Sequence, residues 1–64
     1  MKHTEFWRRM DDALGPAYSR SWASMFVLTD LDGRTVDQAL DQGEPPKVVW
    51  RAVAEALSLP DSHR

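Results

Sequence analysis

Residues 35–57 read TVDQALDQGEPPKVVWRAVAEAL, and their first half carries the chemistry of a short helix. Thr35 is a good N-cap residue, and Gln38 three positions later completes a capping-box pattern, because each side chain can bond the backbone of the other. Gly43 is the residue type that most often follows a helix, since it adopts positive φ without strain. We therefore expect a helix over 35–42.

The second half of the same stretch predicts a longer helix over 46–58. Pro45 and Pro46 suit a helix start, where a missing N–H costs nothing. Apolar residues then cover a wide arc of the helix at 100° per residue. This arc indicates the central helix of the fold, and its members are Val49, Trp50, Ala52, Val53, Ala56 and Leu57.

The preceding half of the chain predicts two further helices, over 4–14 and 16–28. Thr4 is a plausible N-cap for the first, and Gly15 followed by Pro16 separates the two. The expected inward side chains are Phe6, Trp7, Met10, Ala13 and Leu14 in the first helix and Tyr18, Trp22, Met25 and Phe26 in the second. Together these patterns predict an all-α, single-domain bundle of four short helices with a helix-turn-helix-like pair at 35–58.

Length and composition fit this fold. A chain of 64 residues makes one small domain. Because it has no cysteine, no disulfide can stabilise it, and its stability must come from a core that is rich in tryptophan. We expect residues 59–64 to form a flexible tail. Without a long apolar run or a signal-peptide pattern, we also expect a cytoplasmic protein that does not enter a membrane.

Charge is unevenly distributed along the chain. The formal net charge is −2, yet between residues 23 and 44 five carboxylates accompany a single arginine. Asp37, Asp41 and Glu44 on and after the third helix should form an acidic surface. Such a surface repels polyanions, so it disfavours nucleic acid as a partner.

One segment imitates a catalytic motif. Residues 26–35, FVLTDLDGRT, resemble the first motif of haloacid-dehalogenase-type phosphotransferases, with Asp30 and Asp32 at the nucleophile and acid/base positions. Arg34 stands where that family has threonine, and the chain has no room for the rest of such an enzyme. We interpret the aspartates as a solvated turn between helices. A strand leading up to them would contradict a compact helical bundle without a chemically equipped pocket.

The sequence does not support a metal site either. A calcium loop starting at Asp30 would place Arg34 at an acidic ligand position and Thr35 at the obligatory glycine. His3 and His63 lie near opposite ends of the chain, and zinc needs three or four ligands. We therefore expect no catalytic residue, no metal site and no cofactor, and a protein that is not an enzyme.

The helix-turn-helix spacing supports a DNA-binding alternative. Ala39, Gly43 and Val49 match the small, turn and apolar positions of that motif. The 46–58 helix would then present Lys47, Trp50 and Arg51 to the major groove. Only two of these are cationic, and the acidic surface would lie close to the phosphates.

The leading hypothesis is a small non-enzymatic protein-interaction module of adaptor or regulatory type. Trp and Arg are favoured interface anchors, so the candidate interaction residues are Lys47, Val48, Trp50 and Arg51. The angular position of Trp50 beside Val53 and Leu57 nevertheless favours a core or partly covered site for its ring. An unknown protein is the expected partner, and a homo-oligomer is left open.

Several motifs together resemble one known family. They are Phe6-Trp7-Arg8-Arg9, Gly33-Arg34-Thr35-Val36, Ala39-Leu40 and Val49-Trp50-Arg51-Ala52-Val53. The chain is similar over nearly all its length to short actinobacterial proteins of the "domain of unknown function 3046" family. The resemblance implies a short, helical, intracellular protein and assigns no activity, cofactor or functional residue.

Overall fold

The fold was analysed in a computed structural model, which describes residues 1–59. Four helices carry most of the chain, so the predicted all-α bundle is confirmed. The elements in chain order are α1 (His3–Leu14), α2 (Pro16–Met25), β1 (Val27–Leu28), a 3₁₀ turn (Thr29–Leu31), β2 (Arg34–Thr35), α3 (Val36–Asp41) and α4 (Pro46–Leu57).

The junction between α1 and α2 is set by Gly15. Its φ of 88° is a conformation that favours glycine, and its N–H bonds the carbonyl of Asp11 at 2.8 Å, which ends α1. Its ψ of 141° lies outside the left-handed helical region, because the chain passes directly into α2 at Pro16. Thr4 is not the N-cap of α1: the helix begins one residue earlier, behind Lys2, without a side-chain cap.

The buried side of α2 differs from the predicted one. Of the four expected inward residues only Trp22 is buried, whereas Tyr18, Met25 and Phe26 are about half exposed or more. Ser19 and Ala23 are buried instead, and the Ser19 hydroxyl donates to the Asp11 carboxylate across the α1–α2 contact. Small side chains allow the two helices to approach closely, so they mark the buried stripe.

The α1 stripe is largely as predicted. Phe6 and Met10 are fully buried, and Trp7 and Leu14 pack partly buried against the core. Ala13 is exposed, contrary to the prediction. Its methyl lies outside the narrower stripe that α1 presents to the other helices.

A small hairpin replaces the last turn predicted for α2 and the loop after it. The helix ends at Met25, not at residue 28, and β1 pairs antiparallel with β2 through Val27 opposite Thr35 and Leu28 opposite Arg34. A strand of two residues thus leads up to the paired aspartates, so the expectation of no strand there was wrong. The four-helix architecture is unaffected, because the sheet has only these two strands among residues 1–59.

Both ends of α3 follow the sequence prediction. Thr35 accepts a hydrogen bond from the Gln38 N–H at 3.1 Å, and the Gln38 side chain accepts one from the Thr35 N–H at 3.0 Å, which completes the capping box. Gly43 has φ 94°, and the N–H of Glu44 bonds the carbonyl of Ala39. This bond belongs to a Schellman ending and turns the chain toward α4.

The last helix supplies the largest share of the core, as predicted for a central helix. Its buried residues are Val49, Trp50, Ala52, Val53 and Ala54. Leu57 is half-buried, while Ala56 is exposed despite the prediction. Ser58, with φ 53°, ends the helix, and the Leu59 N–H bonds the carbonyl of Ala54.

The predicted tail is corrected at its first residue. Leu59 packs against the core instead of fraying into solvent. Residues 60–64, which complete the predicted tail and include His63, lie outside the described residues.

Candidate interaction surfaces

Trp50 is a core residue. Only 4% of its surface is exposed, and its ring meets Phe6 edge to face with centroids 6.2 Å apart. The expectation of a core or partly covered position for this ring is therefore confirmed. Since the indole is covered in the free protein, the readily accessible members of the predicted interaction set are Lys47, Val48 and Arg51.

These residues lie on the outer side of α4, beside a groove that α1 helps to form. This α4 groove has a volume of about 520 Å³ and is lined by Met1, Glu5, Arg9, Lys47, Trp50, Arg51 and Glu55. Cations and carboxylates alternate around it, and Arg9 already pairs with Glu5 at 3.4 Å. The surface is therefore of mixed charge and less cationic than the helix sequence alone indicates.

The predicted acidic residues separate into two environments. Asp37 and Asp41 are exposed on α3 and line a shallow groove of about 560 Å³, the α3 groove, together with His3, Trp7, Gln38 and Leu40. Glu44 instead pairs with Arg34 at 3.5 Å. The guanidinium of Arg34 also donates to the Leu31 carbonyl within the hairpin at 2.8 Å. The Arg34–Glu44 pair therefore connects the hairpin to the end of α3.

The surface that sequence reasoning missed lies where α2 gives way to the hairpin. Met25, Phe26 and Val27 are exposed by 67%, 48% and 59% and follow one another along the chain. We call these three residues the apolar ridge. The Phe26 ring stacks on the buried Trp22 ring with centroids 5.3 Å apart, so this side chain of the ridge packs against the core.

A groove runs between the apolar ridge and α4. This hairpin groove has a volume of about 440 Å³, and its walls are largely apolar. Its lining residues are Trp22, Phe26, Val27, Leu28, Thr29, Asp30, Ala52, Glu55, Ala56 and Leu57. The charged groups among them are two carboxylates, from Asp30 on the 3₁₀ turn and Glu55 on α4.

Of the paired aspartates, Asp30 lines that groove, and Asp32 follows it in the hairpin turn. Asp30 and Asp32 are both exposed, and Asp32 has φ 57°, a left-handed conformation that Asp tolerates better than most residues. Arg34, at the position of the threonine in the phosphotransferase motif, is held by the Leu31 carbonyl and the Gln42 side chain. The aspartates thus shape a hairpin turn and carry its negative charge.

Residues 1–59 contain neither a metal-binding cluster nor a membrane-spanning helix. No group of three or more His, Cys, Asp or Glu side chains is close enough to hold a metal ion there. Every buried side-chain nitrogen or oxygen in this range has a hydrogen-bond partner. None of the described helices is long and apolar enough to cross a membrane.

The helix-turn-helix positions behave as that motif requires. Ala39 and Val49 are buried, and Gly43 adopts positive φ between α3 and α4. The same three features are also what any tightly packed helix pair with a short turn needs. They therefore describe packing and do not by themselves identify a DNA-binding surface.

Comparison with known proteins identifies the family. The model of the family described as "Protein of unknown function (DUF3046)" matches residues 1–62, nearly the whole chain. The protein therefore belongs to this family. No curated protein and no solved structure matches the chain.

Proposed function

We propose that this protein is a small, cytoplasmic, non-enzymatic protein-interaction module that docks its partner on the apolar ridge. The observation that carries the proposal is the exposure of Met25, Phe26 and Val27 beside a largely apolar groove. Contiguous exposed apolar surface, unlike a single exposed leucine, is characteristic of interaction sites in soluble proteins.

The energetics of burial support this use of the ridge. Removing apolar surface from water is favourable by about 25 cal/mol per Å² before the costs of association are subtracted. The ridge also requires little ordering on binding, because the Phe26 ring already stacks on Trp22. Large aromatic side chains held in place in this way are typical interface anchors.

Two exposed valines allow a matched test of the proposal. Val27 lies on the ridge and Val48 lies on the outer side of α4, with exposures of 59% and 40%. We expect Val27→Asp to abolish capture of the partner from native cells and Val48→Asp to leave it intact, because only the first places a charge in the docking surface. Circular dichroism checks that both variants fold.

Other patterns of partner loss would place the docking surface elsewhere or contradict the proposal. Loss of the partner with Val48→Asp alone would move the docking surface to Lys47, Val48 and Arg51, where the sequence first suggested it. Loss with neither variant would contradict the proposed role of the ridge.

DNA binding through α4 is the second candidate function. Its support is the exposure of Lys47 and Arg51 on one side of α4, after a turn with helix-turn-helix spacing. This candidate predicts duplex affinity that falls steeply with salt and is weakened by Lys47→Ala. We expect no gel shift even at low ionic strength, because Glu5 and Glu55 line the same groove and Asp37 and Asp41 extend the acidic surface.

A further inference from the structure

From the charge around the hairpin groove we infer the chemistry of the partner: an apolar segment flanked by lysine or arginine. This inference rests on the proposed function, since it describes what occupies the same surface. The charge of the groove indicates the sign of charge on the residues that flank the partner's apolar segment, which the exposure of the ridge alone does not indicate.

The groove combines an apolar wall with a negative rim. The ridge residues Phe26 and Val27 face α4 across it, and Asp30 and Glu55 are its charged lining groups. Asp32, two residues after Asp30, adds a further exposed carboxylate to the hairpin turn. A partner whose apolar side chains enter the groove therefore brings its flanking residues close to carboxylates, and cations fit there best.

The other grooves have different charge. The α4 groove includes Arg9, Lys47 and Arg51 among its lining residues, so it offers cations as well as carboxylates. The α3 groove is acidic through Asp37 and Asp41, but it is shallow and lies away from the ridge. The hairpin groove thus combines a negative rim with large exposed apolar side chains.

A second copy of this chain is a poorer occupant. In a two-fold dimer both copies contribute the same surface patch, so the ridge and groove of one copy would meet the ridge and groove of the other. The charged lining groups of the groove are the carboxylates of Asp30 and Glu55 in both copies, and like charges disfavour the pairing.

The three tryptophans make the inference directly testable. Trp22 lines the hairpin groove, Trp50 the α4 groove and Trp7 the α3 groove. Each indole N–H gives its own signal in a ¹⁵N–¹H spectrum, which a Trp→Phe variant at each position assigns. One titration therefore reports which groove is occupied.

The probes are two amphipathic peptides with one shared leucine pattern, whose remaining positions are all lysine in one and all glutamate in the other. We expect the lysine peptide to shift the Trp22 signal and the Val27 amide while leaving Trp7 and Trp50 in place. At low salt it should bind roughly tenfold more tightly than the glutamate peptide, and added salt should reduce the difference.

A matched pair of double variants assigns the charge effect. Asp30→Asn with Asp32→Asn removes two carboxylates from the hairpin turn, of which Asp30 lines the groove. Asparagine tolerates the left-handed conformation at position 32. Asp37→Asn with Asp41→Asn removes two from α3 and leaves the net charge the same as in the first variant. Only the first should reduce the preference for lysine.

Several outcomes would overturn the inference. They are equal affinity for both peptides, a lysine peptide that shifts Trp7 or Trp50 in place of Trp22, no shift with either peptide, and a Trp22 signal that moves with protein concentration alone, which would indicate a second copy. None of them decides the proposed function, which stands or falls on the Val27→Asp capture experiment.

Discussion

Replacing Trp50 by alanine should remove a large part of the protein's stability, because this indole belongs to the core. The side chain is 4% exposed and packs edge to face on Phe6. Truncating a buried tryptophan to alanine costs about 3–5 kcal/mol of unfolding free energy. A chain of 64 residues has a total of about 3–10 kcal/mol. The substitution therefore removes a large part or all of the stability.

Urea denaturation followed by far-ultraviolet circular dichroism measures this loss without relying on tryptophan fluorescence. Arg51→Ala is the matched control, because the neighbouring Arg51 is exposed on the same helix. Its free energy of unfolding should stay within about 0.5 kcal/mol of the wild type. A double-mutant cycle combining Phe6→Leu with Trp50→Leu should give a coupling of about 0.5–1.5 kcal/mol for the edge-to-face pair.

The reasoning would be refuted by a Trp50→Ala variant whose unfolding free energy matches that of the wild type. Such a result would mean that the indole lies in solvent, and it would restore the account in which α4 presents Trp50 to DNA. Partner loss with Trp50→Ala is interpretable only after folding has been measured.

Three smaller perturbations test the helix ends and the hairpin. Thr35→Ala should cost about 1 kcal/mol because it removes the capping box, whereas Thr4→Ala should change little, and thermal melts compare the two. Ser58→Gly should stabilise the fold by about 0.5–1 kcal/mol and raise Tm by about 2–8 °C, because glycine adopts the positive φ at the end of α4 without strain. An unchanged Tm would argue against that conformation. Arg34→Lys should cost about 1–2 kcal/mol in urea titrations, because lysine keeps the charge but cannot reproduce the guanidinium contacts with the Leu31 carbonyl and the Gln42 side chain.

The second half of the fold could be predicted from sequence because its signals are local. The capping box of Thr35 and Gln38, the positive φ of Gly43 and the start at Pro46 each depend on residues a few positions apart. Such contacts can be recognised without knowing how distant parts of the chain pack. The predicted bounds of α3 and α4 accordingly differ from the observed ones by only one residue.

The region from Ser19 to Arg34 could not be predicted in the same way. A strand of two residues is too short to show alternation, and its pairing with β2 joins positions on either side of the turn. Because α2 ends at Met25, Phe26 lies beyond the helix and is exposed, although it was expected to be a core residue. The buried side of α2 follows from the close approach to α1 at Ser19, which periodicity of large residues alone does not reveal.

This difference also moves the proposed docking surface from α4 to the end of α2. Sequence reasoning takes Phe26 as a core residue, because a large aromatic at helical spacing is usually buried. It favours a core or partly covered site for the Trp50 ring as well, although it counts Trp50 and Arg51 among the candidate interaction residues. In the structure Trp50 fills the core against Phe6, while Phe26 covers Trp22 with one face and leaves nearly half its surface exposed. A chain this short buries a smaller fraction of its surface than larger domains do, so exposed aromatic area is a substantial loss of potential stability. A partner that covers the ridge would recover that burial, and this is the physical reason for placing the docking surface at the hairpin.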